Sequence, residues 1–131
     1  MAKYIYPAVF TQEDHGYSID FPDIEACYTC GDNLADGFLM AEDVLSMSMY
    51  EYEKEHKAIP KPSDINSIKT APNETVHLIA GDTFKYEKMY ENKPVRKSVT
   101  IPAWLDTKVE NANISLSAFL QQKLKEEFHL A

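Results

Sequence analysis

Alternating apolar residues near the start of the chain predict an antiparallel hairpin. Residues 3–10 are rich in aromatic and β-branched side chains, and Pro7 favours an edge position because proline donates no N–H to a ladder. After a turn at residues 13–16, apolar and polar residues alternate again over residues 17–21. A third short strand is expected over residues 26–30, which end at a glycine.

The apolar period then changes to that of a helix. Asn33 suits an N-cap, and apolar side chains recur in steps of three and four as far as about His56. They are Leu34, Phe38, Ala41, Leu45, Met49 and Tyr52. Gly37 within this helix is expected to cost about 1 kcal/mol relative to alanine. With a fourth strand at residues 75–80, residues 1–80 are predicted to form a βββαβ layer of the α+β class, with the helix on one sheet face.

Residues 81–94 are polar and are expected to form a linker that contains a short helix at residues 83–90. Residues 95–101 then predict a strand, which Pro102 closes. Two helices with apolar faces follow. Asn113 is expected to end the first of them in a left-handed conformation, and Ser115 to cap the second.

One strand and two helices are too small to bury a core alone, so residues 95–131 are predicted to need a second copy. The strand would pair with its twofold mate as a two-stranded ribbon, which fits the major groove of B-DNA. The expected dimer core consists of Val99, Ile101, Leu105, Val109, Leu116, Phe119, Leu120 and Leu124.

The charges of the two parts differ in sign. Residues 1–92 carry 17 acidic and 7 basic side chains, which leaves −10, whereas residues 93–131 carry 6 basic and 4 acidic ones, which leaves +2. The total of −8 argues against nucleic acid as the partner of the whole chain, but the asymmetry indicates two different partners. The absence of a signal-peptide pattern and of a long apolar run predicts a cytoplasmic protein that is not associated with a membrane.

The C-terminal pattern resembles the ribbon-helix-helix family of repressors, on residues 98–102, Leu105, Val109, residues 113–115 and residues 119–120. This resemblance implies operator binding as a dimer, with alternate strand residues reading bases. The base-reading residues would be Arg96, Ser98 and Thr100. The phosphate contacts would be Lys97, Ile114, Ser115 and Leu116. Two reading positions hold Ser and Thr, where longer polar side chains are common in that family.

The first part of the chain resembles HicB antitoxins, on residues 17–23, residues 30–34, the long helix and residues 59–63. The resemblance implies a degenerate ribonuclease-H-like fold and a partner, the HicA toxin, a small basic ribonuclease that cleaves mRNA. The sequence departs from the family pattern at residues 25–26, where a Pro-Gly-like turn is usual, and at Gly37.

Together the two resemblances imply a non-enzymatic antitoxin. Residues 1–80 would bind the toxin, and residues 95–131 would bind a palindromic operator and repress the operon. Residues 81–94 would form the linker between these two domains. Two dimers would lie side by side on a longer operator. The expected toxin-binding residues are Asp20, Asp23, Glu25, Glu51, Tyr52 and Glu55, because acidic groups and tyrosine suit a basic partner. No cofactor or metal ion is expected.

Two other functions remain open from the residues alone. A metal-dependent nuclease would use carboxylates from the set Asp20, Asp23, Asp32, Asp36 and Asp43. A plain repressor would instead sense a small ligand with its acidic domain. Cys27 and Cys30 have the CxxC spacing but no second ligand pair, so they are interpreted as structural.

Overall fold

The computed structural model describes residues 3–130, which divide into two compact units with the boundary between residues 93 and 94. The first unit contains four strands, β1 (Lys3–Glu13), β2 (Gly16–Asp20), β3 (Tyr28–Gly31) and β4 (Glu74–Asp82), and two helices, α1 (Leu34–Lys54) and α2 (Thr83–Tyr90). A 3₁₀ turn at Ile65–Ser67 lies in the connection between α1 and β4. The second unit contains α3 (Ala103–Asn111) and α4 (Leu116–Glu127).

The four strands form one antiparallel sheet in the order β3-β2-β1-β4. This confirms the mixed α+β class and the predicted βββαβ order. The prediction that the strand containing Pro7 lies at the edge of the sheet was wrong, because β1 pairs with β4 on one side and with β2 on the other. Pairing with β2 begins only at Val9, however, so Pro7 lies beyond the end of β2 and no N–H is missing from that ladder.

Helix α1 covers one face of the sheet because its apolar residues recur at helical spacing. Asn33 caps it as predicted, with its side chain accepting a hydrogen bond from the backbone N–H of Asp36 at 2.9 Å. The core between helix and sheet contains Tyr6, Ala8, Phe10, Ile19, Phe21, Ile24, Cys27, Ala41, Leu45, Met49 and Ile79. Leu34, at the start of the predicted apolar face, is 44% exposed.

Gly37 is not merely a weak point in the helix. A Cβ added at Gly31, at the end of β3, would lie 2.5 Å from the backbone N and Cα of Gly37. A Cβ at Gly37 itself would lie 3.2 Å from Ile19. The two glycines let α1 approach the sheet more closely than any side chain at Gly31 would allow, so Gly37 contributes to packing as well as costing helix propensity.

The turn between β2 and β3 contains a strained residue. Ala26 has a φ of 55°, in the left-handed region that glycine adopts without steric cost. The turn is held by hydrogen bonds from the N–H of Phe21 to the carbonyl of Cys27 and from the N–H of Ile24 to the carbonyl of Phe21. Alanine therefore stands at a position whose backbone conformation favours glycine.

The linker expected over residues 81–94 is largely ordered structure. Gly81 and Asp82 complete β4, and Thr83–Tyr90 forms α2, as the short helix predicted within that segment. Helix α2 packs against α1, and Thr83 at its start is fully buried. The contacts with α1 include the packing of Tyr86 against Tyr50 and a hydrogen bond from the hydroxyl of Thr83 to Glu53.

Candidate functional sites

The six residues predicted to bind a partner lie in different settings in the first unit. Asp20 ends β2 and is exposed, whereas Asp23 accepts hydrogen bonds from the backbone N–H (2.9 Å) and the hydroxyl of Ser63. Asp23 therefore fixes the connection after α1 to the turn after β2. Glu55 is the C-cap of α1 and pairs with Lys57 at 2.8 Å.

The other three predicted residues come together in one cleft of about 330 Å³. Glu25 comes from the turn before β3, while Glu51 and Tyr52 come from the last turns of α1. The remaining lining residues are Met47, Ser48, Lys57 and Tyr86. The sequence did not point to Tyr86, which reaches the cleft only because α2 packs on α1.

A stack of three tyrosine rings joins α2 to α1 through the contact of Tyr86 with Tyr50. The rings of Tyr50 and Tyr86 lie 5.4 Å apart between centroids, and those of Tyr86 and Tyr90 lie 4.6 Å apart. Lys54 lies 5.8 Å from the centre of the Tyr50 ring and 3.7 Å from Glu91. Tyrosines at positions 86 and 90 are one helical turn apart, which is the sequence signal for this stack.

Four tyrosine hydroxyls have raised pKa values, those of Tyr4, Tyr6, Tyr50 and Tyr86, and the two largest shifts are those of Tyr4 and Tyr50. Burial and a 2.7 Å hydrogen bond to Glu53 raise the pKa of Tyr4 to about 12. A hydrogen bond to Glu91 raises the pKa of Tyr50 to about 12. Both hydroxyls are therefore protonated hydrogen-bond donors near neutral pH, and neither has the lowered pKa of an activated nucleophile or base.

Two of the aspartates considered for a nuclease, Asp23 and Asp36, have local structural roles. Asp23 accepts the hydrogen bonds from Ser63 described above, and Asp36 accepts a hydrogen bond from the backbone N–H of Asp32 at 2.9 Å at the start of α1. Across residues 3–130, no three His, Cys, Asp or Glu side chains are grouped so that they could hold a metal ion.

The two cysteines differ in exposure. Cys27 is buried just before β3, and desolvation raises the pKa of its thiol, whereas Cys30 is exposed within β3. A buried thiol with a raised pKa is a poor thiolate nucleophile. Cys27 thus serves as part of the core, where it lies against the carbonyl of Val44 at 3.9 Å.

In the second unit, the predicted helix boundary is confirmed. Asn113 has a φ of 54°, and the N–H groups of Asn113 and Ile114 bond to the carbonyls of Glu110 and Val109. This pair of hydrogen bonds is the Schellman motif, which ends α3. Ser115 then caps α4 by accepting from the N–H of Ala118 at 3.4 Å.

The apolar side chains of the second unit are not covered within the single chain. No residue of α3 or α4 is buried. Of the predicted dimer-core residues, Ile101, Leu105 and Val109 are partly exposed. The others are exposed more fully: Val99 53%, Leu116 38%, Phe119 48%, Leu120 39% and Leu124 48%. Trp104, in the first turn of α3, is 65% exposed.

The strand predicted over residues 95–101 is not present in the single chain, since residues 92–102 belong to no helix or strand. The physical reason is that a strand needs a neighbour to accept and donate its ladder bonds, and the predicted neighbour was the same segment of a second copy. The predicted DNA-contacting residues on this segment are all exposed: Arg96, Lys97, Ser98 and Thr100. Ile114, Ser115 and Leu116 are exposed at the start of α4. Among the described residues, no helix is long and apolar enough to span a membrane.

Comparison with known proteins gives the family. Residues 6–124 match the model described as the HicB-like antitoxin of bacterial toxin–antitoxin systems. The protein named Antitoxin HicB 2 from Photorhabdus laumondii is 34% identical over 58 residues, which span 44% of this chain and 42% of that protein. The chain thus matches less than half the length of this curated relative.

Solved structures share the fold. A chain of a toxin–antitoxin complex from Streptococcus pneumoniae has a TM-score of 0.64 at 22% identity, with 96% of this chain and 99% of that chain covered. A chain of a HicA3 and HicB3 toxin–antitoxin complex has a TM-score of 0.51 at 24% identity, with 60% of this chain and 99% of that one covered. Because the family model covers most of the chain, this protein belongs to the HicB-like antitoxin family of bacterial toxin–antitoxin systems.

Proposed function

We propose that this protein neutralises a HicA-like, mRNA-cleaving toxin with its first unit and represses its own operon with its second. The observation that carries the proposal is the match of residues 6–124 to the antitoxin family. A solved complex of HicA3 with HicB3 supports the choice of partner, since one of its chains resembles this one in fold. In this proposal the first unit has the degenerate ribonuclease-H-like fold and no enzymatic activity.

Charge supports the division of roles. The net charge of −10 on residues 1–92 complements a basic toxin and increases its association rate, while residues 93–131 carry +2 and suit a phosphate backbone. The cleft formed by Glu25, Glu51 and Tyr52 places acidic and aromatic groups side by side on the first unit. Such groups are common in the contact surfaces of charge-complementary complexes.

The second unit is proposed to be a ribbon-helix-helix dimer that binds a palindromic operator. Its support is the apolar surface that α3 and α4 expose in the single chain, together with residues 95–101, which have the alternation of a strand but no ladder partner. A second copy would supply both the missing core and the missing strand. The ribbon would then present Arg96, Ser98 and Thr100 to the major groove.

Co-expression with the product of the adjacent gene tests the proposal. The expected result is a stable complex on pull-down and rescue of growth by residues 1–92 alone. Rescue that requires residues 93–131 would contradict the assignment of toxin binding to the first unit. A separate measurement of operator binding by residues 93–131 tests the second role.

A further inference from the structure

The cleft on the first unit has the chemistry of a site for a basic side chain. Its walls include two aromatic rings, Tyr52 and Tyr86, and its carboxylates come from Glu25 and Glu51. An aromatic face attracts a cation placed within about 6 Å of its centre, and the guanidinium of arginine also packs flat against such a ring.

A cation already occupies part of this cleft. The ammonium of Lys57 lies 5.7 Å from the centre of the Tyr52 ring, and its side chain lines the cleft. Lys57 is held there by its ion pair with Glu55, in which both side chains are at least half exposed, at 61% and 50%. An exposed pair of this kind contributes little, so a competing cation would displace the ammonium at small cost.

The carboxylates around Lys57 also favour the binding of a cation in this cleft. A hydrogen bond to Glu55 and the negative charge of Glu55 raise the pKa of Lys57, with smaller contributions from Tyr52 and Glu25. Within residues 3–130, the side chain of Glu51 forms no hydrogen bond or ion pair, although it lines the same cleft. The lysine therefore leaves one of the two cleft carboxylates available to a second basic group.

We infer that this cleft receives an arginine side chain of the basic partner protein, which lies against Tyr52, pairs with Glu51 and displaces Lys57. The inference rests on the proposed function, because it specifies how the first unit holds a basic toxin. Lys57 then acts as an internal competitor, and its removal strengthens binding. A purely structural role for Lys57 predicts no such gain.

The test uses the full chain and a catalytically inactive form of the adjacent-gene product, with binding measured by calorimetry. Glu51→Gln should weaken binding about tenfold, since it removes the carboxylate that pairs with the guanidinium. Lys57→Gln should strengthen binding about two- to fivefold, which corresponds to one exposed cation–π contact. The matched controls are Asp14→Asn, in the exposed turn between β1 and β2, and Lys61→Gln, in the exposed connection after α1.

Weaker binding by Glu51→Gln and tighter binding by Lys57→Gln, with both controls close to the unsubstituted chain, support the inference. If each variant matches its control, binding depends only on net charge and the cleft is not the site. If Lys57→Gln weakens binding, the lysine itself contacts the partner and the inference is wrong. Absence of binding by the unsubstituted chain overturns the proposed function and this inference with it.

Discussion

Both units of this chain contain helices with an apolar face, but only the first unit buries that face within the single chain. In the first unit, α1 lies on a four-stranded sheet and buries Ala41, Leu45 and Met49 completely. In the second, α3 and α4 bury no residue, and Phe119 and Leu124 are each 48% exposed. The first unit has an internal partner for its helix, whereas the second has the helices without the surface that would cover them.

This difference leads to separate expectations for the stability of each unit. Burial of apolar area stabilises folding by about 25 cal/mol per Å², and the first unit buries such area within its own core. If the second unit covers its apolar faces by pairing with a second copy, as proposed, its folding should depend on concentration. The comparison predicts that substitutions in the two units affect different measurable quantities.

The largest effect is expected from Leu120→Ala in α4. If Leu120 lies in the core of a dimer, each copy loses about 2 kcal/mol of packing, and the dimer loses about 4 kcal/mol, or on the order of a thousandfold in the dissociation constant. Sedimentation equilibrium measures the shift. Leu39→Ala is the matched control, because Leu39 is 65% exposed on α1. If both variants form dimers with the same dissociation constant, Leu120 does not lie in a dimer core, and the proposed difference between the two units is wrong.

Gly31→Ala should destabilise the first unit by about 3 kcal/mol, because the new Cβ meets the backbone of Gly37 and neither element can yield easily. Gly37→Ala should cost less, since its Cβ would press on the side chain of Ile19, which can shift. Urea denaturation followed by circular dichroism measures both. Equal stability of the Gly31→Ala variant and the parent would show that α1 and β3 are not in close contact.

If Arg96 reads a base as proposed, Arg96→Ala should lower operator affinity by about 1–3 kcal/mol and relax the choice of sequence, because it would remove a bidentate contact to guanine. Lys97→Ala should weaken binding on operator and scrambled DNA alike and flatten the salt dependence, as expected of a phosphate contact. Fluorescence anisotropy at several salt concentrations separates the two. Unchanged operator binding by Arg96→Ala, or loss of toxin binding in its place, would contradict the proposed reading strand.

The smallest effect is a gain. Ala26→Gly should stabilise the first unit by about 1 kcal/mol, since the left-handed conformation at a φ of 55° costs alanine energy that glycine does not lose. Ala35→Gly, in the exposed first turn of α1, should destabilise by about 1 kcal/mol or less. Thermal unfolding of the two variants should therefore shift in opposite directions. A loss of stability in Ala26→Gly would mean that the turn is not strained.

Local patterns in the sequence were sufficient for the elements that depend on local chemistry. The cap at Asn33, the left-handed Asn113 and the cap at Ser115 all follow from residue type and spacing, and the structure confirms them. The four strands and α1 follow from apolar periods of two and of three to four residues. These signals reside within a few neighbouring residues, so a single sequence contains them.

The features that the sequence did not show depend on distant residues or on a second chain. The approach of Gly31 to Gly37 joins a strand end to a helix, and the cleft joins the turn at Glu25, α1 and Tyr86 of α2. Alternation alone does not reveal which segments meet. The strand expected over residues 95–101 is absent from the single chain. A strand needs a ladder partner, and the partner proposed for this one is the same segment of a second copy.

The exposed Trp104 is an intrinsic fluorescent probe located in α3 of the second unit. It is the only tryptophan in the chain, and all eight tyrosines precede residue 94. Excitation that selects tryptophan therefore reports on the second unit alone, while tyrosine emission reports on the first. At 65% exposure the indole faces water in the single chain, so its emission should move to shorter wavelength when a second copy or a nucleic acid covers α3. The unsubstituted protein thus allows assembly of one unit and unfolding of the other to be followed in the same cuvette.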